Sequence, residues 1–154
     1  MLAAERVARA EYLAFRLCDE EYAIDILDVR EIRAHEPVTR IAQAPAFLKG
    51  VINLRGAIVP IVDLRSRFGL PAAEREAGTV VVILALGTGY VGVAVDAVVD
   101  VVALARDDVH PAPSFEAGID TSFIRGIAPL DGRMLIVADL AGLLESAVPA
   151  AKAA

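Results

Sequence analysis

The residues that could carry out chemistry in this 154-residue chain are few and scattered. Its two histidines, His35 and His110, each lie in a polar, loop-like stretch. Neither has a cysteine or histidine at the spacing a zinc site requires, so both read as surface histidines. Cys18 is single, which excludes a disulfide within the chain and fits a reducing compartment. No base is indicated beside it, and it reads as a small apolar filler rather than a nucleophile. No serine stands in a nucleophile-elbow pattern. Asp25, Asp28 and Glu31 are spaced like the outer face of a strand or turn, solvated rather than engaged in acid–base work. The expectation is no catalytic residue, no metal ligand and no cofactor.

Two stretches remain. "GTGYVG", Gly87 to Gly92, fits G-x-G-x-x-G. A dinucleotide site there needs a helix to open at once, with its N-terminus facing the pyrophosphate. The following "VAVDAVVDV" is β-branched and alternating, so the glycines read as a hairpin turn. The other is "GVINLRGAIVPIVDL", Gly50 to Leu64, apolar nearly throughout yet carrying Arg55 at its turn. An arginine there is either a solvated hairpin tip or a binding group, whose planar fork gives directed bonds while its stem covers apolar area.

The elements that must hold these residues are mostly strands. "YAIDI" (Tyr22 to Ile26), "VINL", "AIVPIV", "TVVVILAL", "YVGVAV", "VVDVVAL" and "MLIVADL" are short, β-rich and separated by turn residues. Arg55-Gly56 joins two of them as a hairpin. Pro60 argues for an edge position or a bulge. "PAFLKG" reads as one helical turn, while "DLRSRFG" and "DLAGLLESA" each open on an aspartate N-cap. Hydrophobic residues make up 56% of the chain, enough for a real core, and the net charge is −6. An acidic chain without a basic run is a poor nucleic-acid ligand. No run is long enough to span a bilayer, and no secretory signal opens the chain, so the expected place is the cytoplasm without membrane insertion.

The chain repeats itself. Phe47–Leu64 lies over Phe123–Leu140 at a shift of 76, and Leu17–Ile32 over Leu86–Val101 at a shift of 69. The expectation is one domain over residues 11–147. It comprises two pseudo-repeated β halves, roughly 11–70 and 78–147, with room for strands to cross between them. Residues 1–10 and 148–154 read as flexible tails. Halves this small would pack against each other, leaving a groove at the seam.

"YAIDILDVREI", "PAFLKGVINLRGAIVPIVDLRSRFGL" and "DGRMLIVADL" together resemble the CheW family of chemotaxis coupling proteins, from about Glu11 to Leu144. The resemblance implies an all-β fold of two five-stranded SH3-like barrels packed together, with a few short helices. It implies no catalytic activity. The partners implied are the cytoplasmic tips of methyl-accepting chemoreceptors and the regulatory domain of the histidine kinase CheA, joined in arrays at the membrane's cytoplasmic face. By position, Ile26, Val29, Ile32 and Val98 match apolar receptor contacts, with Leu13 a weaker match. Arg55 matches the family's functional arginine, Glu31 an acid that pairs with it, and Gly50 a glycine needed for coupling. The overlay sets Glu31 over Asp100 and Arg55 over Asp131. The first half can form the pair, and the second, with two acids, is expected not to. The alternatives are a coupling protein of a related pathway controlling pili or gliding, a regulatory domain cut from a CheA-like kinase, and a nucleotide-binding enzyme using "GTGYVG".

Overall fold

The computed structural model describes residues 9–34, 37–67, 80–87, 89–111, 123–140, 142 and 144. Ten strands appear in chain order: β1 (Arg9–Leu17), β2 (Glu20–Asp25), β3 (Val29–Ala34), β4 (Leu48–Leu54), β5 (Ala57–Asp63), β6 (Val80–Leu86), β7 (Gly89–Val95), β8 (Ala97–Ala105), β9 (Ile124–Leu130) and β10 (Arg133–Ala138). They form two five-stranded sheets with orders β8-β1-β2-β10-β9 and β3-β6-β7-β5-β4. The second is one continuous piece of chain, and we call it the central barrel. The first is built from the two ends of the chain, and we call it the terminal barrel. Each takes strands from both sequence halves, so neither barrel coincides with 11–70 or 78–147.

The two shifts read from the sequence recur as geometry. Val29 pairs with Leu84 and Val98 with Phe15, each position 69 residues from its counterpart. Both ladders then slip at the next position, placing Glu31 opposite Ile83 and Asp100 opposite Ala14. Each sheet contains one parallel pair, β5 with β7 and β10 with β2. Each is curled by an isolated bridge. Thr39 and Val51 exchange two bonds of 2.9 Å, as His110 and Ile127 do at 2.8 Å. The glycine beside each bridge allows this closure. A Cβ on Gly50 would lie 2.3 Å from the Thr39 carbonyl oxygen, and one on Gly126 2.3 Å from that of His110.

Alternation explains why the most apolar strands are the middle ones. On β6, Val81 and Ile83 face the interior of the central barrel, while Val82, Leu84 and Leu86 face the other barrel. On β1, Ala14 turns into the terminal barrel and Leu13, Phe15 and Leu17 turn to the seam. Phe15 and Tyr22 stack there, with ring centroids 5.7 Å apart. The seam is therefore a filled core, not the expected groove, because two large apolar faces meet across it. Asp96, between β7 and β8, ties the barrels at its edge. It accepts bonds from Arg65 Nε and from the Cys18 backbone N–H, each 2.8 Å. Burial works against the Asp96 carboxylate, but these bonds outweigh it and hold its pKa below the usual range.

Several local expectations shift. β1 begins at Arg9, two residues inside the expected tail, because Arg9 and Ala10 pair with Ala105 and Leu104. Residues 1–8 and those after 144 lie outside the described residues, as does His35. Pro60 is not on an edge strand, since β5 lies between β7 and β4. The N–H and C=O of its partner Val51 both turn away to Thr39, so no β4 group awaits the missing proline donor. "PAFLKG" runs through a turn into β4 at Leu48 rather than forming a helix. Strand β7, not a helix, follows the "GTG" glycines. The two aspartate caps form: Asp63 accepts from Arg65 N at 3.0 Å, ahead of α1 (Leu64–Arg67), and Asp139 from Gly142 N at 3.1 Å.

Candidate partner-binding surface

Arg55 and Gly56 form the two-residue loop between β4 and β5, both with positive φ (50° and 92°), and the Gly56 N–H donates to Asn53 Oδ1 at 2.8 Å. That is the mirror-image hairpin turn favoured by strand twist. Glycine enters it freely, but an arginine with positive φ costs roughly 1 kcal/mol. Asp131, at the equivalent tip, adopts the same φ of 51° and is better suited to it. A strained residue retained at an exposed tip points to use of its side chain.

That side chain is 70% exposed, yet it is aimed. Arg55 Nη2 donates to Glu31 Oε1 at 2.6 Å, and Arg33 Nη1 donates to Glu31 Oε2 at 2.8 Å. The Arg55 bond first, and the Arg33 bond next, hold the Glu31 carboxyl below its ordinary pKa. Glu31, in β3, is half-buried rather than freely solvated, and so are Asp25 at the end of β2 and Asp28 in the turn that follows. Beside this pair lies a concavity of about 310 Å3, lined by Arg30, Glu31, Leu54, Arg55, Ala57 and Tyr90. The Arg30 guanidinium sits 5.8 Å from the centre of the Tyr90 ring, within cation–π reach.

The other predicted contacts divide by burial. Ile26, in a 3-10 turn, and Val29 and Val98, at the starts of β3 and β8, are half-buried against the seam core. Ile32 is exposed on the same strand as Glu31. Leu13 is only 2% exposed and belongs to the seam core, so it offers no contact surface: the face of β1 that carries it packs against the other barrel. Gly50 is buried under Thr39, beside the bridge that closes the central barrel.

The terminal barrel corrects one expectation outright. Asp100 has an arginine partner after all. Arg133 donates to Asp100 Oδ1 and Oδ2 at 3.0 and 3.1 Å, and to Glu21 Oε1 at 2.7 Å. The cation stands two residues past the tip, at the start of β10. Those bonds, Asp100 first and Glu21 next, raise the pKa of the guanidinium further.

Sequence reasoning missed Arg30, Tyr90 and Leu27. Leu27 is 86% exposed at the head of the turn Ile26–Asp28, where its N–H is capped by Asp25 Oδ1 at 2.9 Å. The Asp25-Ile-Leu-Asp28 run signals that turn. Cys18 is a half-buried turn residue with φ 55°, and His110 is exposed. Among the described residues no group of three or more His, Cys, Asp or Glu side chains is placed to hold a metal ion, and no helix is long and apolar enough to cross a membrane.

Two duplicated barrels with an aimed arginine at one corner fit a family profile, that of the CheW-like domain, which matches residues 11–148. The chain belongs to the CheW-like domain family. It is similar to the chemotaxis protein CheW of Klebsiella aerogenes, at 48% identity over 145 residues, 94% of this chain and 87% of that protein. The Rhizobium meliloti chemotaxis protein CheW is 40% identical, covering 88% of each chain. Among solved structures, the scaffolding protein TtCheW from Thermoanaerobacter tengcongensis superimposes with a TM-score of 0.78 at 34% identity, over 85% of this chain and 89% of that one. Such CheW-like proteins serve chemotaxis, and the fold is their pair of SH3-like barrels.

Proposed function

We propose that this chain is a non-catalytic adaptor. It couples the cytoplasmic tips of methyl-accepting chemoreceptors to the histidine kinase CheA, and is recruited from the cytoplasm to receptor arrays. Residues 11–147 act as one domain of two pseudo-repeated halves. The observation that carries this reading is Arg55, exposed on a strained tip and held in place by Glu31, in a chain of the CheW-like family. Ile26, Val29, Ile32 and Val98 supply the apolar part of the receptor surface. A coupling role in a related chemosensory pathway draws weaker support, from a 26% match to protein FrzA of Myxococcus xanthus over 73% of this chain.

The test is co-sedimentation with receptor-bearing membranes, with and without CheA, comparing wild type with Arg55→Ala. Wild type should pellet, recruit CheA and raise its autophosphorylation, and a folded Arg55→Ala should do so poorly. Wild type remaining in the supernatant with cognate partners present would sink the adaptor reading.

A further inference from the structure

The chain passes between the barrels twice, and the two crossings are built differently. At the first, from β2 to β3, the bonds stay within the turn: Asp25 caps the Leu27 N–H, and the Val29 N–H donates to the Ile26 carbonyl. Like charge also gathers there, since Asp28 lies near Asp25 and Asp139 as well as Arg125. At the second, from β7 to β8, one residue, Asp96, makes the passage and is bonded to both barrels. Its carboxylate takes Arg65 Nε at 2.8 Å on one oxygen and Arg65 Nη2 on the other, so the fork of an α1 arginine meets it with two bonds. The second oxygen also accepts the Cys18 N–H, from the β1–β2 turn, at 2.8 Å. The Asp96 N–H donates to the Arg16 carbonyl of β1 at 3.0 Å. At the shift of 76 the sequence has Ala141 in the place of Arg65, so the repeat does not supply this arginine twice.

We propose that Arg65 and Asp96 are positioning residues, whose clasp fixes the angle between the barrels and with it the separation of the two halves of the apolar receptor surface. This role rests on the adaptor reading. Val98 stands two residues beyond Asp96, on the terminal barrel, while Val29 and Ile32 stand on β3 of the central barrel. Val29 and Val98 both lean on the seam core. That core is apolar, and burial of apolar area has no direction: it holds the barrels together yet permits small sliding of one face over the other. A two-bond contact between a guanidinium and a carboxylate does have direction. The Arg65 and Asp96 side chains are both largely shielded, so water and salt screen this pair less than they screen Arg55 and Glu31. A receptor helix laid across both barrels then meets its apolar contacts already spaced, and less freedom is lost on binding.

The test uses the full chain carrying Cys18→Ser, with nitroxide labels on Ile58→Cys and Met134→Cys. These are equivalent exposed positions on β5 and β10, one on each barrel. Pulsed electron resonance gives the distance between the labels. Calorimetry on unlabelled chains, well below the melting transition, gives the affinity for the purified cytoplasmic hairpin of a cognate chemoreceptor. Asp96→Ala should broaden the distance distribution and weaken hairpin binding by roughly fivefold, the size of one misplaced contact. Arg65→Lys keeps the charge but loses the fork, and should fall between Asp96→Ala and wild type. The NMR titration of the Glu31 carboxyl should match wild type in both variants, and a shift there would overturn the proposal by tracing the lost binding to the Arg55 corner. An unchanged distribution in a folded Asp96→Ala would overturn it, as would a broadened one with wild-type affinity, because the clasp would then serve the fold alone. If Asp96→Ala does not fold, Arg65→Lys decides by the same two readings. A wild-type chain that binds no hairpin would remove the adaptor reading and the receptor role with it, while the label distances would still report whether the clasp sets the angle.

Discussion

The two barrels share strand order, bulges, closing bridges and hairpin geometry, yet they treat the same corner differently. In the central barrel the acid is Glu31, the cation stands on the tip as Arg55, and Tyr90 forms the neighbouring wall. In the terminal barrel the corresponding residues are Asp100, Asp131 and Glu21, and the cation has moved to Arg133, where the central barrel has Ala57. Moving a guanidinium two residues changes its use. Arg133 lies between two carboxylates and holds the barrel wall together. Among the described residues Arg55 reaches one carboxylate, Glu31, which it shares with Arg33, and it stays open to solvent. Duplication kept both folds, and local charge placement made one corner internal and the other available.

The largest effects should come from what the barrels share. Gly50→Ala and Gly126→Ala would each drive a Cβ into a bridging carbonyl, and each should cost about 3 kcal/mol in chemical denaturation. If Gly50→Ala instead leaves stability intact and removes only partner binding, the two glycines are not equivalent and Gly50 is a contact residue. Next comes the contrast between the arginines. Arg133→Ala strands two partly buried carboxylates and should lower stability by about 2 kcal/mol. Arg55→Ala should leave the unfolding midpoint unchanged, because an exposed pair contributes little. Equal losses would erase the distinction between the corners.

Smaller effects sharpen the comparison. Arg55→Asn relieves backbone strain and should raise stability by about 0.5 kcal/mol, whereas Asp131→Asn should be neutral. A stabilised variant that no longer binds partners would show the tip to be kept for function at the expense of the fold. The smallest effect is on pH. The Glu31 pKa is depressed in the folded protein, so its pair stabilises above the ordinary carboxylate pKa, and that contribution is lost as pH falls through the lowered value. Side-chain NMR titration should show the Glu31 carboxyl moving back up in Arg55→Ala. An unchanged titration would mean that Arg33, not Arg55, sets its charge.

Much of this was legible because it is local. Periodicity marked seven of the ten strands, leaving β1, β3 and β9 unnamed; Arg55-Gly56 marked one hairpin and the overlay set Asp131 at the equivalent tip; Asp63 and Asp139 marked the helical caps, and the two shifts the register of the repeat. The Glu31–Arg55 pair was legible through the family resemblance. The burial of Leu13 was not, because alternation along β1 says which residues share a face, not that the second face meets another barrel. Arg133 was missed because an overlay by position asks what replaces Arg55 and cannot see an arginine two residues on reach the same acid.

The sequence by itself determined the all-β class, the duplication, the hairpin tips and the family, since each is set by neighbours along the chain or by matched spacing. Only the tertiary structure decided which strands share a barrel, that the seam is filled, and which arginine faces solvent. Those outcomes depend on pairings between residues far apart: β1 and β2 leave their sequence half to join β8 and β10, and β5 joins β7. Burying apolar area selects those partners, and neither that area nor the charges brought together around Glu31 and Asp100 exists before the chain closes.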